Sequence, residues 1–269
     1  MRAVCRVFDK SQRWYFYKKK YSYRMPVIKR PELAEVIRNI IKERPVTYGY
    51  RRVHAMIREL GIRCDSKTVH RYMRLKLWLS TERTKRKARE RREGVVSVAE
   101  PNKRWASDIT NIKAWNGEKG RFAMLIDCAD RQILEYRWAR SIKGEDIRDL
   151  VKSAVLNRFE NGVITEKGSI EFLSDNGPEY IKTEFRWFLK CAGFVVCNTP
   201  IRSPESNGIA ESFFKTFKRD YVYQHACESF DDIGRKIGAW VEDYNTKAPH
   251  SALGMISPSK FYANWKVKK

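Results

Sequence analysis

The sequence predicts two structural classes in one chain: an all-α region over residues 1–78, and an α/β core over residues 101–269 in which a mixed sheet is flanked by helices. A basic linker over 79–100 joins them. Three observations carry this reading. Apolar residues recur at helical spacing through residues 32–73, whereas beyond Pro101 short apolar strands alternate with amphipathic helices. The charge also divides between the two parts. Of 269 residues, 55 are Lys or Arg and 32 are Asp or Glu, for a net charge of +23. Residues 1–100 hold 28 basic and 10 acidic side chains, so +18 of that excess lies there.

Such an excess repels itself in a compact chain unless a polyanion offsets it, and nucleic acid is the usual partner. A membrane surface is the other anionic candidate. The sequence offers it neither a basic amphipathic anchor nor an apolar run near the roughly 20 residues of a spanning helix. The start, Met1-Arg2-Ala3-Val4-Cys5-Arg6, lacks a secretory apolar segment, so a cytoplasmic protein is expected. A 42% hydrophobic content excludes a wholly disordered chain. The six cysteines are scattered without a Cys-x-x-Cys pair, and with four histidines they give no zinc spacing and no disulfide framework.

In the N-terminal part, Val4, Val7 and Phe8 are helix-spaced and a basic aromatic helix through Tyr17 is expected after a turn at Asp9-Lys10-Ser11. Pro31 opens a helix over 32–44 with Leu33, Val36, Ile37, Ile40 and Ile41 on its apolar side, and Pro45 ends it. After Gly49, residues 50–60 place Val53, Met56, Ile57 and Leu60 on one face, and Gly61 stops the segment. Asp65-Ser66 is an N-cap signal before the basic helix 67–74. Two helices around a glycine turn have helix-turn-helix layout, with Lys67, His70, Arg71 and Arg74 offered to a groove or to phosphates. Residues 81–93 lack an apolar face and carry seven basic side chains against three acidic, among them Lys85, Arg86 and Lys87, which suits a linker tracking a phosphate backbone.

In the core, strands are expected at 105–115, 121–128 and 132–138, a helix at 145–159, a buried strand at 170–174, a helix at 179–191 and a strand at 194–197. Two helices, 205–223 and 230–244, and a helical tail complete it. Acidic residues stand out against this apolar pattern. Asp108 lies inside the first strand, Asp175 directly follows the fourth, and Glu211 sits in a helix, with 35 residues between it and Asp175. Any one of them alone reads as a cap or turn former.

Together they match a specific pattern. The chain resembles the retroviral-integrase-like Asp-Asp-Glu recombinases, and most closely the second-frame (OrfB-type) transposases of bacterial insertion sequences. The resemblance runs through Thr47-Tyr48-Gly49-Tyr50-Arg51-Arg52-Val53, Trp105 with Asp108-Ile109-Thr110, and Ser174-Asp175-Asn176-Gly177-Pro178-Glu179-Tyr180. It continues through Ser203-Pro204-Glu205-Ser206-Asn207-Gly208-Ile209-Ala210-Glu211-Ser212-Phe213 and closes on Tyr244-Asn245 and Pro249-His250-Ser251-Ala252-Leu253-Gly254. The chain departs from the family at Ala248, where a basic residue or histidine is usual, and it carries no zinc-binding N-terminal module.

The resemblance implies an RNase H-like fold that gathers Asp108, Asp175 and Glu211, with Asp108 shared by two Mg²⁺ ions (or Mn²⁺) and the other two each holding one. Phosphoryl transfer needs an aligned nucleophile and neutralisation of developing charge, and a cation pair serves both. Lys215 and Lys218 fall on the stripe of Glu211 and are expected to meet DNA phosphates, as are Arg202, Arg51 and Arg52. The implied activity is cleavage at the ends of an insertion element and strand transfer by the freed 3′-OH. The implied partners are double-stranded DNA, further copies of the chain on paired ends, and an upstream-frame helix-turn-helix protein, separate or fused by frameshifting. The rival readings are a non-catalytic DNA-binding regulator and a structure-selective nuclease.

Overall fold

A computed structural model of the chain describes residues 2–7, 9, 11–13, 16, 28–43, 47–79, 98–164, 167–175, 177–198 and 208–268. The basic linker with Lys85, Arg86 and Lys87, and Arg202 with the residues before Gly208, lie outside the described residues, as does most of the helix expected through Tyr17.

A short helix, α1 (Arg2–Val7), precedes a trihelical unit of α2 (Pro31–Glu43), α3 (Tyr50–Glu59) and α4 (Ser66–Leu75). Pro31 at the first position of α2 supplies a helical φ where no N–H donor is needed. Gly61 reverses the chain at φ +74°, and the Asp65 carboxylate caps α4 by accepting the Lys67 N–H at 2.6 Å. Leu33, Ile37, Val53, Ile57, Val69, Tyr72 and Met73 close over one another as a separate core.

The second part is a five-stranded sheet with order β3-β2-β1-β4-β5, formed by β1 (Arg104–Lys113), β2 (Lys119–Asp127), β3 (Ile133–Ala139), β4 (Ile170–Ser174) and β5 (Phe194–Asn198). The first three form an antiparallel meander, while β4 and β5 run parallel to β1. Side chains alternate across a strand, and β2 shows why its sequence is continuously apolar: Phe122, Met124 and Ile126 face one core, and Ala123 and Leu125 the other. The first core is covered by α7 (Gly208–Asp220) and α8 (Phe230–Thr246), the second by α5 (Gly144–Arg158) and α6 (Thr183–Cys191). A last helix, α9 (Pro258–Lys266), follows. No described helix is long and apolar enough to cross a membrane.

Two expected boundaries move. The helix expected from Glu179 begins at Thr183, because Glu179 turns inward to pair with Arg121 at 2.6 Å and Tyr180 is buried against the sheet. The helix expected to reach Tyr223 ends at Asp220, and Val222–Gln224 form a 3₁₀ turn. The Tyr244-Asn245 pair acquires a clear structural role: the Asn245 side-chain amide accepts the Ile133 N–H and donates to the Ile133 carbonyl, both at 2.9 Å, so α8 is pinned to the start of β3. All six cysteines are free thiols.

The helical unit rests on the core. Thr47 Oγ1 donates to Asp220 Oδ1 at 2.6 Å, Arg52 Nη1 meets Asp220 Oδ2 at 2.6 Å, and Lys260 of α9 pairs with Glu59 of α3 at 3.1 Å.

Candidate active site

Strand register brings the first two acidic residues together. Ala106 of β1 pairs with Leu173 of β4, the last pair of the parallel register, and Asp108 and Asp175 each follow two residues further along the chain. Ala106 and Leu173 both face the core under α7, and the two-residue period of a strand puts Asp108 on that same face. Helix α7 packs there through Ala210, Phe213 and Phe217, which carries the adjacent Glu211 to the rim of the sheet.

The electrostatics register this convergence. The Asp108 carboxyl is pushed up to about 6, chiefly by burial and further by the negative charges of Asp175 and Glu211. The Ile109 N–H, donating to Oδ1 at 2.8 Å, and the Lys218 ammonium oppose the rise. Asp175 is exposed and accepts the Gly177 N–H at 3.0 Å. Glu211 is partly exposed and lies 3.9 Å from Lys215. Lys218, by contrast, turns onto the sheet: its ammonium donates to Thr110 Oγ1 at 2.7 Å and to the Asn111 carbonyl at 2.9 Å. Burial lowers its pKa, with the nearby Asp108 carboxylate opposing.

A layer on the opposite face supports the acidic pair. Ser107, fully buried next to Asp108, shares a 2.9 Å hydrogen bond with the Tyr180 hydroxyl and donates to the Met124 carbonyl at 3.1 Å. Glu179 is held by Arg121, so the turn after Asp175 is fastened at two consecutive residues. A Cβ on Gly177 would sit 3.0 Å from the Asp175 carboxylate and 3.1 Å from that of Glu179, which explains a glycine between them. The pattern of Ser174–Tyr180 marks a motif without separating Glu179 and Tyr180 from a helix start, and the polar Ser107 beside Asp108 in an apolar strand is the sequence signal for a buried partner.

As a donor set, three carboxylates are oxygen-only and suit hard divalent cations, and the surplus negative charge that weakens Asp108 as an acid is what such a cation neutralises. Among the described residues no three His, Cys, Asp or Glu side chains stand within reach of one metal ion.

The expected DNA-contacting residues separate into two sets. Arg51, Lys67, Arg71 and Arg74 are exposed on the helical unit, and His70 is half-buried with its ring edge-on to Tyr50 at 4.8 Å. Arg52 and Lys218 differ from the expectation of free phosphate contacts. Arg52 is held by Asp220 and lies 4.9 Å over the Tyr48 ring, and Lys218 is consumed by its bonds to β1.

Residues 29–86 match the HTH-like domain family, and residues 98–204 and 195–258 match integrase core domain families. An insertion element IS136 protein of Agrobacterium fabrum is 42% identical over 171 residues, covering 63% of this chain and 87% of that protein. The transposase InsD of insertion element IS2 from Escherichia coli is 38% identical over 234 residues, covering 84% of this chain and 76% of that one. In fold, the chain is similar to a chain of the simian T-cell lymphotropic virus intasome, with a TM-score of 0.53 and 14% identity over 77% of this chain and 73% of the other. Identity of this extent to a transposase, along most of both chains and through an RNase H-like sheet preceded by an HTH-like unit, means that the chain belongs to the insertion-element transposases, enzymes of DNA transposition.

Proposed function

We propose that Asp108, Asp175 and Glu211 are the catalytic carboxylates of this transposase and hold its divalent cations, with Asp108 shared between two ions and Asp175 and Glu211 each holding one. What supports this reading is that Asp108, in β1, and Asp175, directly after the neighbouring parallel strand β4, lie near enough to each other and to Glu211 for both charges to add to the burial that pushes Asp108 up to about 6. When bound, a pair of Mg²⁺ ions, or Mn²⁺ in their place, supplies positive charge at the scissile phosphodiester and alignment of the attacking and leaving oxygens.

The chain's own residues do the positioning. Lys218 ties α7 to β1 and so fixes Glu211 relative to Asp108, while Ser107 and Tyr180 fix the Asp175 turn. The exposed Lys215 ammonium, beside Glu211, meets a phosphate of the strand being cut. Arg51, Lys67, Arg71 and Arg74 grip double-stranded DNA at the element's ends, and Arg202, Lys85, Arg86 and Lys87 contribute backbone contacts. The substrates are element ends and target DNA, with copies of the chain assembled on paired ends and an upstream-frame helix-turn-helix protein as partner.

The test is cleavage and joining of oligonucleotides carrying the element's end by the purified chain with Mg²⁺ or Mn²⁺. Asp108→Asn, Asp175→Asn and Glu211→Gln are expected to abolish both steps while DNA affinity stays within about twofold, since none of them contributes positive charge to the interface. Parallel loss of DNA affinity in all three would remove the catalytic assignment. Cleavage with no joined product, on ends and unrelated duplexes alike, would make the chain a nuclease.

A further inference from the structure

We propose that a cavity at the seam between the helical unit and the core binds one phosphate group of the DNA backbone, held by the guanidinium of Arg131 and the hydroxyls of Ser212 and Thr216. The inference rests on the transposase reading for its ligand and on this chain's geometry for its site. The cavity measures about 280 Å³, room for several water molecules, and is lined by α3, the end of β2 and the turn after it, α7, Tyr244 of α8 and residues 250–252.

Arg131 occupies that turn in the left-handed region, at φ +64°, a conformation unusual for a residue with a Cβ. Its neighbours on either side are committed: Asp130 pairs with Arg158, and the Gln132 amide carbonyl accepts from Arg158 at 2.7 Å. The Arg131 guanidinium makes no hydrogen bond or ion pair among the described residues, and it lines the cavity half-buried. Arg52 enters from the opposite wall with its orientation set by Asp220 below and the Tyr48 ring beside it. Between them His250 presents an Nε2 that is shut off from solvent and has no hydrogen-bond partner among the described residues. Burial, then the charges of Arg52 and Arg131, push this imidazole down to about 4.

With Arg52 paired to Asp220, the unpaired Arg131 guanidinium leaves a local surplus of positive charge at the cavity. Arginine forks match phosphate oxygens with two hydrogen bonds each, and the hydroxyls of Ser212 and Thr216 supply further donors. The position relative to the carboxylates favours DNA as the source. Ser212 and Thr216 follow Glu211 and Lys215 by one residue each on α7, so the cavity opens on the stripe next to the one assigned to the cut strand.

The experiment measures binding of end-containing duplex to the full chain by fluorescence anisotropy across a salt series, in EDTA so that chemistry plays no part. Arg131→Gln is expected to weaken binding about tenfold at low salt and to make the salt dependence shallower by about one phosphate, with Arg131→Lys keeping the wild-type slope. A walk of single methylphosphonate substitutions along the duplex should find one position that weakens the wild type about tenfold and leaves Arg131→Gln unaffected. Melting temperatures of both variants near the wild type establish that the fold is intact. A wild-type salt slope for Arg131→Gln, or no methylphosphonate position whose effect vanishes in that variant, overturns the proposal. Binding of inorganic phosphate by ³¹P NMR that is lost in Arg131→Gln, with DNA binding unchanged, assigns the cavity to a free anion and also overturns it. Because these readouts need neither metal nor turnover, they can fail while the carboxylate assignment stands, and the reverse.

Discussion

Asp220, the last residue of α7, ion-pairs with Arg52 of α3 at 2.6 Å, and the pair lies in the seam between the HTH-like helices and the sheet, with side-chain exposures of 3% and 18%. Thr47 and Arg219 donate to the same carboxylate, at 2.6 Å and 2.7 Å, so its oxygens are well satisfied. Burial raises the Asp220 pKa, but the hydrogen bond from Arg219, the Arg52 charge and the Thr47 hydroxyl outweigh it and leave the carboxyl below its ordinary value of 3.8.

Asp220→Ala strips Arg52 of its partner in a poorly hydrated seam and is expected to cost about 3 kcal/mol of stability. Denaturant melts measure the loss, and limited proteolysis between the helical unit and the core should accelerate with it. A wild-type midpoint would show that the pair contributes nothing.

The same carboxylate sets an acid limit. Because its folded pKa lies below 3.8, the stabilisation is complete above pH 3.8 and disappears as pH falls through the lower folded value. The wild type should therefore lose stability below pH 3.8 more steeply than Asp220→Asn, as read from melting temperature against pH.

Lys215 and Lys218 share a helical stripe but should behave differently. Lys215→Ala is expected to reduce the salt dependence of DNA binding by about one phosphate. Lys218→Ala frees α7 from Thr110 and Asn111 and should lower the joining rate roughly 10²-fold through misplacement of Glu211, with an unchanged salt slope. Equal salt slopes for the two variants would contradict the distinction.

Ser107 and Tyr180 form one buried hydrogen bond, so Ser107→Ala and Tyr180→Phe should each cost about 1 kcal/mol, and the double variant little more than either alone. Additive losses in a double-mutant cycle would show that the two side chains act independently.

Asn245→Leu removes both bonds to the Ile133 backbone and leaves a buried N–H and C=O without partners, an expected loss of about 2–4 kcal/mol. Hydrogen exchange at the Ile133 amide should become markedly faster.

Much of this architecture is written in local pattern. The unbroken apolar run Phe122–Ile126 fits a strand buried on both faces, and Asp65-Ser66 predicts the cap of α4, because both depend on neighbours in sequence. The positions of Asp108, Asp175 and Glu211 are also visible, as polar residues that break apolar elements. What the pattern could not carry is pairing across the fold. Lys218 reads as a surface charge until β1 is seen to run beneath it, and Arg52 reads as a phosphate contact until Asp220, 168 residues away, is seen to claim it. Glu179 looks like the start of a helix by propensity, and its burial against Arg121 is a long-range event that overrides the local preference.

The seam at Asp220 has a bearing on how such enzymes diversify. Nine residues of rigid rod, about 13 Å at the rise of an α-helix, separate Asp220 from Glu211. A graft of foreign recognition helices onto this core would therefore have to bring its own counterparts of Thr47 and Arg52, or leave an acidic stub strained at the far end of the cutting apparatus. Modules exchanged between elements should therefore succeed only where the graft restores that handshake.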